Sequence, residues 1–274
     1  MKQYISVADP YAWDVDANSQ IALTEKNVRF MDAIIKIDSD YRKALPSNIK
    51  SAQWWFQKSF TGKGTNYWNS DYGFLLELVT RINKENSTHQ AVSGFKGNPD
   101  PTGSNGNGLK ETAQYIQSLG NISGRLIDGD PTLVDDLAVN CIGGHRRETF
   151  SFASKFCTYC EDWAYQKDKF SIFDKVLCEI LPYFAWAYLG KNFTGRTKNG
   201  HCVSIVSKTF NGPTKNYAGY QTLIHDIIQK AKTLTGYQIT RRHFDHLLWY
   251  FYKGDFSNIG LILDKYVGDP NSIL

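Results

Sequence analysis

The sequence predicts an all-α protein of about ten helices, in one lobe or two, and three observations carry that expectation. Apolar residues recur at helical spacing in long segments such as EKNVRFMDAIIKI and YAGYQTLIHDIIQKAK. Capping and stopping residues bracket those segments, with Thr24, Asp71 and Asp130 in front and Pro46 and Gly120 behind. Strand-like runs are few and short, CVSIVS being the clearest. At 274 residues the chain is long enough for one large domain or two closely packed ones.

Residues 1–22 read as an irregular arm. A helix follows over residues 24–44, because Val28, Phe30, Met31, Ile34, Ile35 and Ile37 fall on one broad stripe, Thr24 suits the N-cap and Pro46 lies beyond the end. SAQWWFQKSF, residues 51–60, reads as a short helix carrying Trp54, Trp55 and Phe56, and TGKGTNYWNSD as a turn-rich loop carrying Tyr67 and Trp68. Core packing with an exposed lip is the first expectation for these rings, and a ligand-facing platform is the other. Asp71 caps the helix of YGFLLELVTRIN. The stretch after it, ENSTHQAVSGFKGNPDPTGSNGNG, is rich in turn residues and suits a linker or a mobile loop at a ligand site. A division into residues 1–108 and 109–274 follows from its position.

Helical patterning resumes in LKETAQYIQSLG (109–120) and in PTLVDDLAVNCI (131–142), the latter opened by Asp130 and Pro131. GGHRRETF then leads into a central helix, and EDWAYQKDKF connects it to SIFDKVLCEILPYFAWAYL, a long apolar helix that Pro182 is expected to kink or divide. Residues 190–216 form a glycine- and lysine-rich insertion. Helices over 217–236 and 240–254 and a small one around NIGLILDKYV complete the chain.

Composition narrows the function classes. No run of 18 uncharged apolar residues occurs, and the first residues lack the basic start and apolar centre of a signal peptide, so an intracellular protein with no membrane partner is expected, cytoplasmic or nucleoid-associated (nuclear in a eukaryote). Five cysteines, an odd number, suit free thiols in a reducing compartment. The formal charge of +4 permits a polyanionic partner without demanding one. Aromatic residues make up 14% of the chain, a surplus that suits both core packing and stacking on bases or sugars. GxGxxG, Walker, HExxH and GxSxG motifs are all absent. Cys157 and Cys160 make a single CxxC without a second patterned pair, so no metal and no cofactor is expected.

Chemistry is sought first between Phe150 and Gly190. Lys155 sits inside SFASKFC and Asp174 inside FSIFDKVL, 19 positions apart. An ionised group in such apolar company costs several kcal/mol to desolvate unless it is paired. If the two helices return on each other, the lysine and the aspartate meet. A carboxylate at a helix start stays ionised and can stabilise a cationic sugar, and a desolvated lysine can attack C1 of a sugar. A buried salt bridge that only joins two helices is the alternative.

Over residues 135–190 this arrangement resembles the helix-hairpin-helix DNA glycosylases, the superfamily of 8-oxoguanine glycosylase and endonuclease III. In that family a helical hairpin is followed by a short loop and a catalytic aspartate at the cap of the next helix, matching Asp174, and bifunctional members carry a lysine 18 or 19 positions earlier, matching Lys155. The sequence departs from the pattern in one place. FSFAS precedes Lys155 where the family has a glycine-rich hairpin, and Gly143 and Gly144 lie further upstream. Either the hairpin is remodelled, or GGHRR forms a separate phosphate-contacting turn and Lys155 is a structural residue.

The resemblance implies a two-lobed helical glycosylase fold with a central helical hairpin. It implies a monomeric enzyme that flips out and excises a damaged or modified base from double-stranded DNA, with or without abasic-site lyase activity. Asp174 and Lys155 would be the catalytic residues, and a late helix would supply Asp245, His246 and Trp249 to the base pocket. Arg146, Arg147, Lys191, Arg196, Lys198 and Lys208 are candidate phosphate contacts. The alternative is a non-catalytic helical protein that recognises unusual or modified DNA. An iron–sulfur cluster is not expected, because no closely spaced four-cysteine pattern lies near the C-terminus.

Overall fold

A computed structural model describes residues 13–18, 20–44, 51–64, 67–86, 107–142, 145–191, 194–196, 202–204 and 217–252. Helices dominate these residues, joined by two short antiparallel ribbons. In chain order the elements are α1 (Glu25–Ala44), α2 (Ala52–Phe60), α3 (Tyr67–Ser70), α4 (Tyr72–Asn86), α5 (Asn107–Ser118), α6 (Ile122–Asp128) and α7 (Thr132–Ala138). Then follow β1 (Val139–Ile142), β2 (His145–Glu148), α8 (Phe150–Tyr165), α9 (Lys175–Leu189), β3 (Thr194–Arg196), β4 (Cys202–Ser204), α10 (Tyr217–Thr235) and α11 (Arg241–Tyr252). Among the described residues no helix is long and apolar enough to cross a membrane.

Two compact units interleave along the sequence. One comprises residues 1–50, 175–211 and 222–274, the other residues 51–174 and 212–221. In the first, α1 and α9 each pack on α11. Trp13 is buried edge-on against Phe30 (4.7 Å between centroids), and Phe184 meets Phe244 in the same geometry at 5.6 Å. Within residues 1–22, expected as an irregular arm, the described residues are tied down by polar side chains. Buried Asn27 accepts from the Asp14 amide at 2.8 Å and donates Nδ2 to the Asp14 and Ala22 carbonyls at 2.8 and 2.7 Å. Thr24 caps α1, its Oγ1 accepting from the Asn27 amide at 3.3 Å. Tyr183 donates to Asp16, Tyr188 accepts from the Leu23 amide at 3.2 Å, and Tyr252 donates to Gln20 at 2.8 Å.

In the second unit α8 is central, packing against α2, α4, α6 and α7. Its buried face includes Phe152, Phe156 and Cys160. Phe56 and Trp68 are fully buried, whereas Trp54, Trp55 and Tyr67 keep part of their surface. Tyr165 accepts from Trp68 Nε1 at 2.8 Å and shares a 2.5 Å hydrogen bond with Ser123, which links α3, α6 and α8. Asp71 caps α4 by accepting from the Phe74 amide at 2.9 Å.

Three expectations change. The helix expected over 131–142 ends at Ala138, because Val139–Ile142 pairs instead with His145–Glu148 in register Val139↔Glu148 to Ile142↔His145. β-branched Val139 and Ile142 favour that extended form, and the Thr149 amide closes the base of the ribbon by donating to the Ala138 carbonyl at 2.9 Å. Pro182 does not divide its helix, since α9 runs unbroken from Lys175 to Leu189. α3 and α6 are additional. α6 is capped by Asn121, which takes the left-handed conformation (φ 43°) and accepts from the Gly124 amide. The turn-rich stretch 87–106, most of 190–216 and the segment NIGLILDKYV lie outside the described residues.

Replacing Asn27 with alanine removes three hydrogen bonds and strands buried backbone groups, so a loss of about 2–4 kcal/mol is expected. Guanidinium unfolding checks this, and a loss below about 1 kcal/mol would contradict the role given to Asn27.

Candidate functional site

Asp174 immediately precedes α9 and terminates a nine-residue connection from α8. Its second half is largely buried, with Phe170 at 1%, Ser171 at 2% and Ile172 at 5% exposure, while Gln166, Asp168 and Lys169 are exposed. A buried irregular segment must find a partner for every backbone polar group. Here side chains supply them. Glu161, on the last turns of α8, accepts from the Lys169 amide at 2.8 Å through one carboxylate oxygen and from the Phe170 amide at 3.0 Å through the other. The Tyr217 hydroxyl, at the start of α10, accepts from the Ser171 amide at 2.8 Å and donates to the Ser171 carbonyl at 2.5 Å. Tyr220 donates to the Ile172 carbonyl, and Gln221 Nε2 donates to the Lys169 carbonyl at 2.6 Å.

The last of these contacts bears on the two candidate catalytic residues. Ser154 Oγ accepts from the Phe173 amide at 2.9 Å and lies 3.4 Å from the Phe173 carbonyl, to which it can donate in turn. Residues 154 and 173 are therefore in direct contact, and Lys155 and Asp174 are the next residue along each strand of that contact. Both are 8% exposed. The connection thus folds back onto α8 at Ser154.

Three other ionisable groups have strongly shaped environments. Burial pushes the Glu161 carboxyl up from 4.5 to about 7, against the opposing effect of the Phe170 and Lys169 amides; nearby Asp168 adds to the rise and the Lys169 ammonium opposes it. Burial also pushes the Cys157 and Cys160 thiols well up, which keeps them protonated and unlike reactive thiolates. Among the described residues no group of three or more His, Cys, Asp or Glu side chains is placed to hold a metal ion.

The remaining candidates are distributed as follows. Asp245, His246 and Trp249 lie on α11, in the unit that does not contain Asp174 and Lys155. Asp245 is 7% exposed, and Trp249 is half-buried with its ring edge-on to Tyr250 at 5.1 Å. His246 Nδ1 is enclosed without a hydrogen-bond partner among the described residues, and burial together with Arg242 and His243 pushes the imidazole well down, which keeps it neutral. Arg146 and Arg147 are consecutive on β2, and Arg196 is on β3. Lys191 is exposed and 3.7 Å from Asp226, while Lys198 and Lys208 lie outside the described residues.

Glu161 was not among the residues singled out from sequence. A signal for it exists, because Ser154, Cys157 and Glu161 recur at i, i+3 and i+7 and so share one stripe of α8. Tyr217 and Tyr220 carry no such signal, since their partners lie 46 and 48 positions away.

Residues 64–164 match the sequence family described as HI_0787_N, N-terminal domain, a stretch under half of the chain. It runs within the second compact unit, from just before α3 almost to the end of α8, and so includes Lys155 and Glu161 but stops short of Asp174. Searches among curated proteins and among solved structures give no match.

The sign of the Glu161 effect on stability follows from its raised pKa. Between about pH 4.5 and 7 the folded protein keeps a proton that the unfolded chain has released, so this group makes stability fall as pH rises through that window. The full effect is of the order of 3 kcal/mol. Glu161→Gln lacks it, so the stability of the variant relative to wild type should rise between pH 5 and pH 8. Equal pH profiles in guanidinium unfolding would contradict the assignment. His246 contributes a slope of opposite sign in both proteins and cancels in the comparison.

Proposed function

We propose that this protein is a DNA glycosylase that turns a damaged or modified nucleotide out of duplex DNA and cleaves its N-glycosidic bond. The observation that carries the reading is the Ser154–Phe173 contact, which sets Lys155 and Asp174 one residue beyond a shared hydrogen bond at the entry to α9. The resemblance of residues 135–190 to the helix-hairpin-helix glycosylases supplies the chemistry. On this reading the two compact units are the two lobes of the glycosylase fold. α7 and α8 stand as the central hairpin, with the β1–β2 ribbon in place of the usual glycine turn and Arg146 and Arg147 on its second strand.

The reaction assigns each group a task. As the base departs with the bonding electron pair, positive charge builds on the sugar, and the Asp174 carboxylate stabilises it. The nucleophile that completes C1 is water or the neutral amine of Lys155. Attack by the amine forms a C1–N bond as the base leaves with a proton, and cleavage of the bond from C1 to the ring oxygen, which remains on the sugar as a hydroxyl, gives an aldimine from which β-elimination breaks the strand. Asp245, His246 and Trp249 are assigned to the base pocket, and Arg146, Arg147, Lys191, Arg196, Lys198 and Lys208 to the phosphates. The setting is intracellular and the enzyme is a monomer that uses neither metal nor cofactor.

One observation favours a second reading, a helical protein that binds unusual DNA without cutting it. Lys155 and Asp174 are each only 8% exposed, which suits a structural pair. That protein would bind duplexes or abasic sites with a steep salt dependence and form no product.

Asp174→Asn separates the two. The glycosylase reading expects excision to fall by about 100-fold or more while DNA affinity stays within about threefold; unchanged excision would remove Asp174 from the reaction. Borohydride trapping on abasic DNA reads Lys155. A covalent adduct lost in Lys155→Ala supports the aldimine route, and an active enzyme that forms no adduct uses water.

A further inference from the structure

We propose that Glu161 is a positioning residue for the Asp174 site, acting through the backbone of residues 169–173. The inference rests on the glycosylase reading and names a residue that neither the sequence patterns nor the family resemblance assigns. Glu161 is fully buried. Both of its carboxylate oxygens are spent on backbone amides of the connection, Lys169 at 2.8 Å and Phe170 at 3.0 Å, and among the described residues no cationic side chain forms an ion pair with it.

A buried carboxylate that binds only backbone is a costly way to join two segments. What two divergent acceptor oxygens add is a fixed position for two successive peptide planes. The next residues in line are clamped in the same way, Ser171 by Tyr217, Ile172 by Tyr220 and Phe173 by Ser154. Every clamp belongs to the same compact unit as Asp174. Glu161 and Ser154 both project from α8, seven residues apart, so one rigid helix sets both the start and the end of the segment that delivers Asp174. Glu161 lies within α8 and is fully buried, so it is not asked for contact with substrate. Its influence runs through the loop.

Glu161→Gln tests this, because it preserves volume while replacing one acceptor oxygen with an amide donor that faces a backbone N–H. Two readouts are taken on the full chain. Hydrogen exchange followed by mass spectrometry on the peptide spanning 166–174 should show lost protection relative to wild type. Single-turnover excision should slow by about 10- to 100-fold, with the dissociation constant for substrate duplex within about threefold, since a misplacement of about 1 Å acts on the chemical step. Tyr217→Phe removes a different clamp on the same segment and should move both readouts the same way. It carries the test if Glu161→Gln loses the helical circular dichroism of wild type. Excision at the wild-type rate by either folded variant overturns the inference, and so does unaltered exchange. A slowing that appears wholly as weaker DNA binding also overturns it. A wild type that excises no base removes the function on which the inference rests, whereas an active wild type with an equally active Glu161→Gln overturns the inference alone.

Discussion

A buried stretch of irregular backbone must be satisfied group by group, and in this protein that constraint falls on residues 169–173. Phe170, Ser171 and Ile172 are buried within it, so water has little access to their amides and carbonyls. The chain answers with Glu161 and Ser154 from α8 and with Tyr217, Tyr220 and Gln221 from the first turns of α10. Once these partners are in place the connection has little freedom left, and the residue that follows it, Asp174, is presented at the start of α9 in one place. The site thus rests on the helices that flank it and not on the loop itself.

The same solution appears in the other unit with different residues. Residues 13–23 are irregular, yet Asn27, Tyr183, Tyr188 and Tyr252 take up their backbone and side-chain polar groups. Tyrosine suits this work because its ring contributes apolar area to the core while its hydroxyl can both donate and accept. The high aromatic content of the chain is therefore explained in part by stapling of irregular segments. That lessens the weight of composition as an argument for base stacking. Trp68 and Phe56 are wholly buried, while Trp54, Trp55 and Trp249 retain partial exposure.

Much of the helical framework was legible because it depends on local rules. Thr24, Asp71 and Asp130 were readable as caps. Short elements escaped. α3 has four residues, and α6 has seven with Gly124 inside it, too few for a periodic pattern to stand out. At Val139–Ile142 local pattern could not separate a last helical turn from a strand, and pairing with β2 decided it. For the site, the apolar setting of Lys155 and Asp174 was visible, and their burial follows from it. Their supports were less visible, since Tyr217 and Tyr220 lie 46 and 48 positions from their partners and Glu161, marked only by the stripe it shares with Ser154 and Cys157, falls in EDWAYQKDKF, which reads as a polar connection.

The central claim, that this arrangement breaks N-glycosidic bonds, is tested most directly by incubating the purified chain with duplexes that contain oxidised, deaminated, alkylated and phage-type modified bases and detecting the free base by mass spectrometry. Stoichiometric release of at least one base class is expected, leaving abasic sites in the same duplexes. Tight binding to these duplexes with no free base from any of them would contradict it.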